Sequence, residues 1–183
     1  QALRWRRLGG MAAGLLLAFG AGWMAKGNWP PPGARLAQHF AKDAALAHAA
    51  YTPEQRHPVE VAAAQEEHLV QWLSKRLGRP LRIPSLQAQG YALVGGRLLP
   101  GEDGARAQFM YQGAGGERLT LYVGARDARL AAQGETAFQY ADDGGAARFY
   151  WVEDGAGYAL VGALPRERLM ALASEAYRQL GLR

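Results

Sequence analysis

Apolar side chains follow three different rhythms along this chain. Residues 8–25 (LGGMAAGLLLAFGAGWMA) are an unbroken uncharged run. As a helix that run would be about 27 Å long, close to the hydrocarbon thickness of a bilayer. Leu8, Leu15, Leu16, Leu17 and Phe19 supply its large apolar side chains, and Trp23 sits near one end, where an indole favours the interface. The second rhythm is helical. Residues 35–51 form an Ala-rich helical pattern whose only large apolar side chains before Tyr51 are Leu36, Phe40 and Leu46. That composition suits a stalk, or a helix docking by one narrow face. In residues 62–77 Leu69, Trp72, Leu73 and Leu77 share one helix face, with Gly78 and Pro80 as stop signals. Residues 165–180 repeat the pattern with Leu169, Leu172, Ala173, Ala176 and Leu180.

Between these helices the rhythm shortens to two. Val59-Glu60-Val61 reads as a short strand, and further strands are predicted at 91–99, 105–111, 118–124, 136–140, 146–152 and 158–164. Turn-forming clusters separate most of them: GEDG at 101–104, GAGG at 113–116, DDGG at 142–145 and DGAG at 154–157. Short loops at regular intervals predict an antiparallel meander of five or six strands, with 125–134 as its one longer link. The expected fold class is α+β: an N-terminal transmembrane helix, then the sheet flanked by two or three helices, two of them on one face. The expected segments are a basic flank at 1–7, the span at 8–25, a Pro-rich linker with a juxtamembrane helix at 26–56, and a compact domain at 57–183.

Charge sharpens this picture. The net charge is +5, from 21 basic and 16 acidic residues. Residues 1–26 hold Arg4, Arg6, Arg7 and Lys26 and no acid, which leaves 17 basic against 16 acidic residues in the rest of the chain. The excess therefore speaks of topology rather than of nucleic acid: basic residues stay on the cytoplasmic side of a span. A cleaved signal peptide fits less well than a retained span, because Trp23 would occupy the −3 position before a cut after Ala25. Gln1 in place of Met adds the expectation that further sequence lies upstream. Gly10, Gly14, Ala18 and Gly22 recur every four residues, a small-residue stripe that permits close helix association in lipid, although so small-rich a segment produces such stripes by composition alone.

The chemistry is sparse. There is no cysteine, so disulfides, thiol nucleophiles and Cys-based metal sites are absent. Four histidines fall within 30 residues, but the spacings of His39, His48, His57 and His68 put no pair on adjacent helix turns. His57, Glu60 and His68 are the weak metal candidates. The few serines fall in no GxSxG elbow, and no phosphate-binding glycine motif is present. Gly95-Gly96, inside a predicted strand, reads as a bulge or a close backbone approach. Strand aromatics such as Phe109, Tyr111, Phe149 and Trp151 read as core. No cofactor and no catalytic activity are expected.

Taken together and in order, HPVEV (57–61), HLVQWLSKRLG (68–78), GYALVGGRLLP (90–100), AQFMY (107–111) and GYALVG (157–162) resemble the C-terminal part of proteobacterial single-pass transmembrane anti-sigma factors. The resemblance implies a bacterial inner-membrane protein with its N-terminus in the cytoplasm and a periplasmic sensor domain. It also implies a partner, an extracytoplasmic-function sigma factor, held by an N-terminal domain that would precede Gln1. A homodimer through the span, or an envelope protease acting on the 26–56 stalk, would be consistent with that role. The competing expectation is a membrane-tethered periplasmic binding module with no transcriptional role.

Overall fold

A computed structural model describes residues 32–102, 104–132, 138–144 and 146–181. The expected span, with its stripe of Gly10, Gly14, Ala18 and Gly22, lies outside the described residues. Among those residues no helix is long and apolar enough to cross a membrane.

From Leu36 onward the chain forms one compact α+β unit. Its elements in order are α1 (Pro32–Tyr51), β1 (Val61–Ala62), α2 (Glu66–Leu77), β2 (Tyr91–Leu99), β3 (Arg106–Gly113), β4 (Arg118–Gly124), α3 (Ala128–Ala131), β5 (Gln139–Ala141), β6 (Ala147–Glu153), β7 (Ala156–Gly162) and α4 (Arg166–Leu180). The helices end where the sequence says they should. Glu66 and Glu67 open α2 and Lys75 and Arg76 close it, matching the helix dipole, and Gly78 takes the left-handed conformation that terminates it. Gly181 ends α4 in the same way.

The described strands form a seven-stranded sheet in the order β1-β2-β3-β4-β7-β6-β5, antiparallel at every pairing. The single meander expected from the loop spacing is thus two meanders, β1–β4 and β5–β7, joined by the central β4–β7 pair. The link after β4 runs to the far edge of the sheet and is tied down on the way. Asp127 caps α3 by accepting from the Arg129 N–H at 2.7 Å, and the buried Leu130 fills the core beneath. The tight β6–β7 hairpin turns on Asp154 and Gly155, both at positive φ, as a two-residue turn requires.

Alternation along the strands feeds two cores. On one face α2 and α4 cover Phe109, Tyr111, Leu119, Leu121, Phe149, Trp151 and Leu160, as expected for two helices sharing a face. The segment between α2 and β2 is stitched to α4, because Gln179 accepts from the Ser85 N–H at 2.7 Å and donates to the Ser85 carbonyl at 2.7 Å.

The other face is covered by α1. The segment that reads as a stalk or as a helix docking by one narrow face takes the second form, packed on the sheet through Ala37, Phe40, Ala41 and Ala44. These positions repeat at three and four residues, one stripe of a helix. Leu46, one of the three large apolar residues before Tyr51, lies off this stripe and is 61% exposed. Alanines lie on the stripe because a helix without bulky side chains can approach a sheet closely, and its one large anchor is Phe40. That ring packs on Tyr122 at 5.1 Å between centroids. A Cβ at Gly124 or Gly157 would meet it at 3.0 or 2.9 Å. Phe40→Ala should therefore cost about 2–3 kcal/mol, below the range for a central aromatic because a peripheral helix can settle into the space. Urea unfolding monitored by circular dichroism would measure it.

Candidate functional site

The helix-α1 face of the sheet is the part of the fold where polar chemistry is concentrated. Its side chains come from alternate strand positions: Arg97 on β2, Arg106 and Gln108 on β3, Thr120 and Tyr122 on β4, Arg148 and Tyr150 on β6. Register sets Arg97 opposite Gln108, Gln108 opposite Tyr122, Tyr122 opposite Ala159 and Ala159 opposite Tyr150. Arg97, Arg106 and Arg148 are each more than nine-tenths buried, which is unusual for arginine.

Each arginine is held by an aromatic ring or a polar partner. Arg97 lies 3.6 Å from the centroid of Tyr51, the last residue of α1, and donates to the His57 carbonyl at 2.8 Å. Arg106 lies 5.5 Å from the Phe40 ring and donates to the Gly104 carbonyl at 3.3 Å. Arg148 is paired with Asp143 at 2.6 Å. Helix α1 thus rests on guanidinium groups of the sheet at Phe40, near its middle, and at Tyr51, its last residue.

His48 continues the α1 stripe four residues beyond Ala44. It is 4% exposed, and its Nδ1 is hydrogen-bonded to Thr120 Oγ1 at 3.0 Å. Burial lowers its pKa from 6.5 to about 4, so the imidazole is neutral at neutral pH. Burial likewise pushes the Tyr122 hydroxyl up to about 12, with Arg106 opposing the shift and Asp43 adding to it. Around this pair satisfaction is incomplete: Gln108 is 1% exposed and neither of its amide atoms has a partner, nor have Thr52 Oγ1 or Arg97 Nε. Such groups weaken an interface, each by roughly 1–3 kcal/mol.

Beside the N-terminal half of α1 a polar cleft of about 210 Å³ is lined by His39, Phe40, Asp43, Glu102, Arg106 and Arg129 among others. Opposite charges are mixed there with no common direction. Among the described residues the lining of the cleft holds no serine, threonine or lysine.

The weak metal candidates stay apart in role. His57 is exposed, donates its N–H to Glu54 at 3.0 Å and offers its carbonyl to Arg97. Glu60 accepts from the Leu98 N–H at 3.0 Å, so its carboxylate closes part of the β2 edge. His68 is exposed on α2. Among the described residues no three His, Asp or Glu side chains are grouped to hold a metal ion. The residues missed in the sequence are His48, Gln108 and Thr120. One signal for His48 was available: it lies four, seven, eight and eleven positions from Ala44, Ala41, Phe40 and Ala37. The sheet partners had none, since only strand pairing brings them under the helix.

No protein-family model matches the chain, and a search of curated proteins finds no significant relative.

Proposed function

We propose that this chain is the anchor and sensor part of a single-pass anti-sigma factor of the bacterial inner membrane. In this reading it has no catalytic activity and binds no cofactor, and its outer domain relays an envelope signal across the span to a sigma-binding domain. The resemblance of the ordered strings from HPVEV to GYALVG supports it, together with the basic collar ahead of the apolar run. The observation that carries the relay is the position of α1. In sequence it follows the apolar run after only six residues, 26–31, two of them proline. In the fold it is packed on the sheet by Phe40 and the alanine stripe. A change in the packing of α1 would reach the span through those six residues, whose consecutive prolines lead the sequence to expect an extended linker.

The test is co-purification of the natural full-length protein from its host membrane. Recovery of an extracytoplasmic-function sigma factor in stoichiometric amount is the expected result. Its absence, with the protein intact and membrane-bound, would overturn the transcriptional role.

A further inference from the structure

We propose that α1 is a proton-sensitive latch: it stays docked on the sheet while His48 is neutral, and protonation of His48 releases it without unfolding the domain. The proposal concerns this domain alone and holds whether or not the protein binds a sigma factor.

Geometry carries it. His48 is sealed between α1 and β4 with Thr120 as its hydrogen-bonding side chain. A hydroxyl can serve a neutral imidazole but does not compensate an imidazolium in a buried site. Among the described residues the charged side chains that the strands place on this face are all arginines. Arg118 is two residues along β4 from Thr120. Arg148 lies in the same cross-strand row as Thr120, with Val161 between them. Arg97 lies beyond Gln108 on the opposite side. At about 4.8 Å per strand and 3.4 Å per residue, Arg148 sits roughly 10 Å and Arg97 roughly 12 Å from Thr120. Arg106 is further along β3 beside Phe40. Strand β7 contributes no titratable group to this face, and Tyr122 and Tyr150 stay neutral. Among the described residues Glu102 lines the clefts beside Asp43, and the other carboxylates near this face are engaged or turned away. Asp143 is paired with Arg148, and Glu54 accepts the N–H groups of Arg56 and His57. Asp127 holds Arg129 beside α3, and Asp43 is set off from His48 by about 140° around the helix.

The latch is also weakly fastened. Apart from Phe40 the buried apolar stripe is alanine, and the interface leaves both amide atoms of Gln108 without a partner. The opposite core, filled by leucines and aromatics under α2 and α4, holds no histidine. Protonation therefore acts on one helix and leaves the other face intact. With pKa values of about 4 docked and 6.5 free, docking weakens by about 30-fold between pH 7.5 and pH 5.

The absence of cysteine makes the test direct. Spin labels are placed on the whole chain in detergent micelles at Lys42→Cys on α1 and Lys75→Cys on α2, both exposed positions. Electron–electron resonance then reads the distance between the helices. One narrow distribution is expected at pH 7.5. A second, longer and broader population should grow as pH falls through 5, while the near-ultraviolet circular dichroism of the aromatic residues is retained. His48→Gln should stay narrow to pH 4, and His48→Leu provides the same neutral site should the amide variant fail to fold. His48→Arg should show the long population already at pH 7.5. An unchanged distribution at pH 4, the same acid response in both neutral variants, or simultaneous loss of the near-ultraviolet signal would each overturn the proposal.

Discussion

Trp151→Ala should destabilise the domain by about 3–5 kcal/mol, a fall in Tm on the order of 10 °C for a domain of this size. Trp151 is 1% exposed on β6, and its indole is stacked on Tyr158 of the neighbouring β7, with centroids 5.3 Å apart and planes within 4°. Phe138 packs on it at 4.9 Å and Tyr177 of α4 at 6.1 Å. One side chain thus joins β6, β7, the residue before β5 and the last turns of α4. Alanine would leave a cavity that none of these can fill without breaking its own contacts. Trp151→Phe should recover most of the loss, because the indole N–H has no hydrogen bond to forfeit. Equilibrium denaturation of the two variants side by side gives the comparison. Equal losses would show that volume at this site is not what holds the sheet to α4.

Gly95→Ala should cost about 3 kcal/mol or more, and for a different reason. Gly95 has φ +147°, a conformation that L residues rarely adopt, and the β2–β3 register slips between Leu93 and Gly95 to form a bulge. A Cβ there would overlap the Val61 carbonyl oxygen and lie 2.9 Å from Ala62 Cα. Both neighbours are backbone, so no rotamer change gives relief. The strain accounts for about 1–3 kcal/mol, and displacement of β1 adds to it. Gly90→Ala is the control, since Gly90 is also at positive φ (+88°) but has nothing within 4 Å of the added carbon. It should cost about 1 kcal/mol. Loss of amide-exchange protection at Glu60, whose N–H donates to the Gly96 carbonyl at 3.0 Å, would locate the damage at β1 in the first variant alone.

The two variants also show where the sequence was readable. Gly95-Gly96 inside a strand pattern already meant a bulge or a close approach, and the fold uses both: the bulge falls at Gly95, and Val61–Ala62 pair with that stretch. Trp151 was readable as core from its place in an alternating strand. Its stacking partner was not, because Tyr158 faces it only after β6 and β7 pair, and its neighbour Tyr177 lies on the final helix. The same limit applies to the candidate site. His48 could be placed on the alanine stripe by counting, yet nothing in the local pattern said that Thr120, 72 residues away, would meet it.

Residue order alone determined the two periodicities of this protein, its helix stops, its turns and its uneven charge, because each depends on side chains a few positions apart. Propensity, caps and glycine conformations act over that range. The tertiary structure decided the rest. It divided one apparent meander into two, since strand order depends on which edges meet across the whole sheet. It also decided between a stalk and a docked helix for residues 35–51, which cover the second face. Alanines with too little apolar surface to make a core helix by themselves became an interface once a sheet lay close enough to bury them, and that burial made His48 neutral.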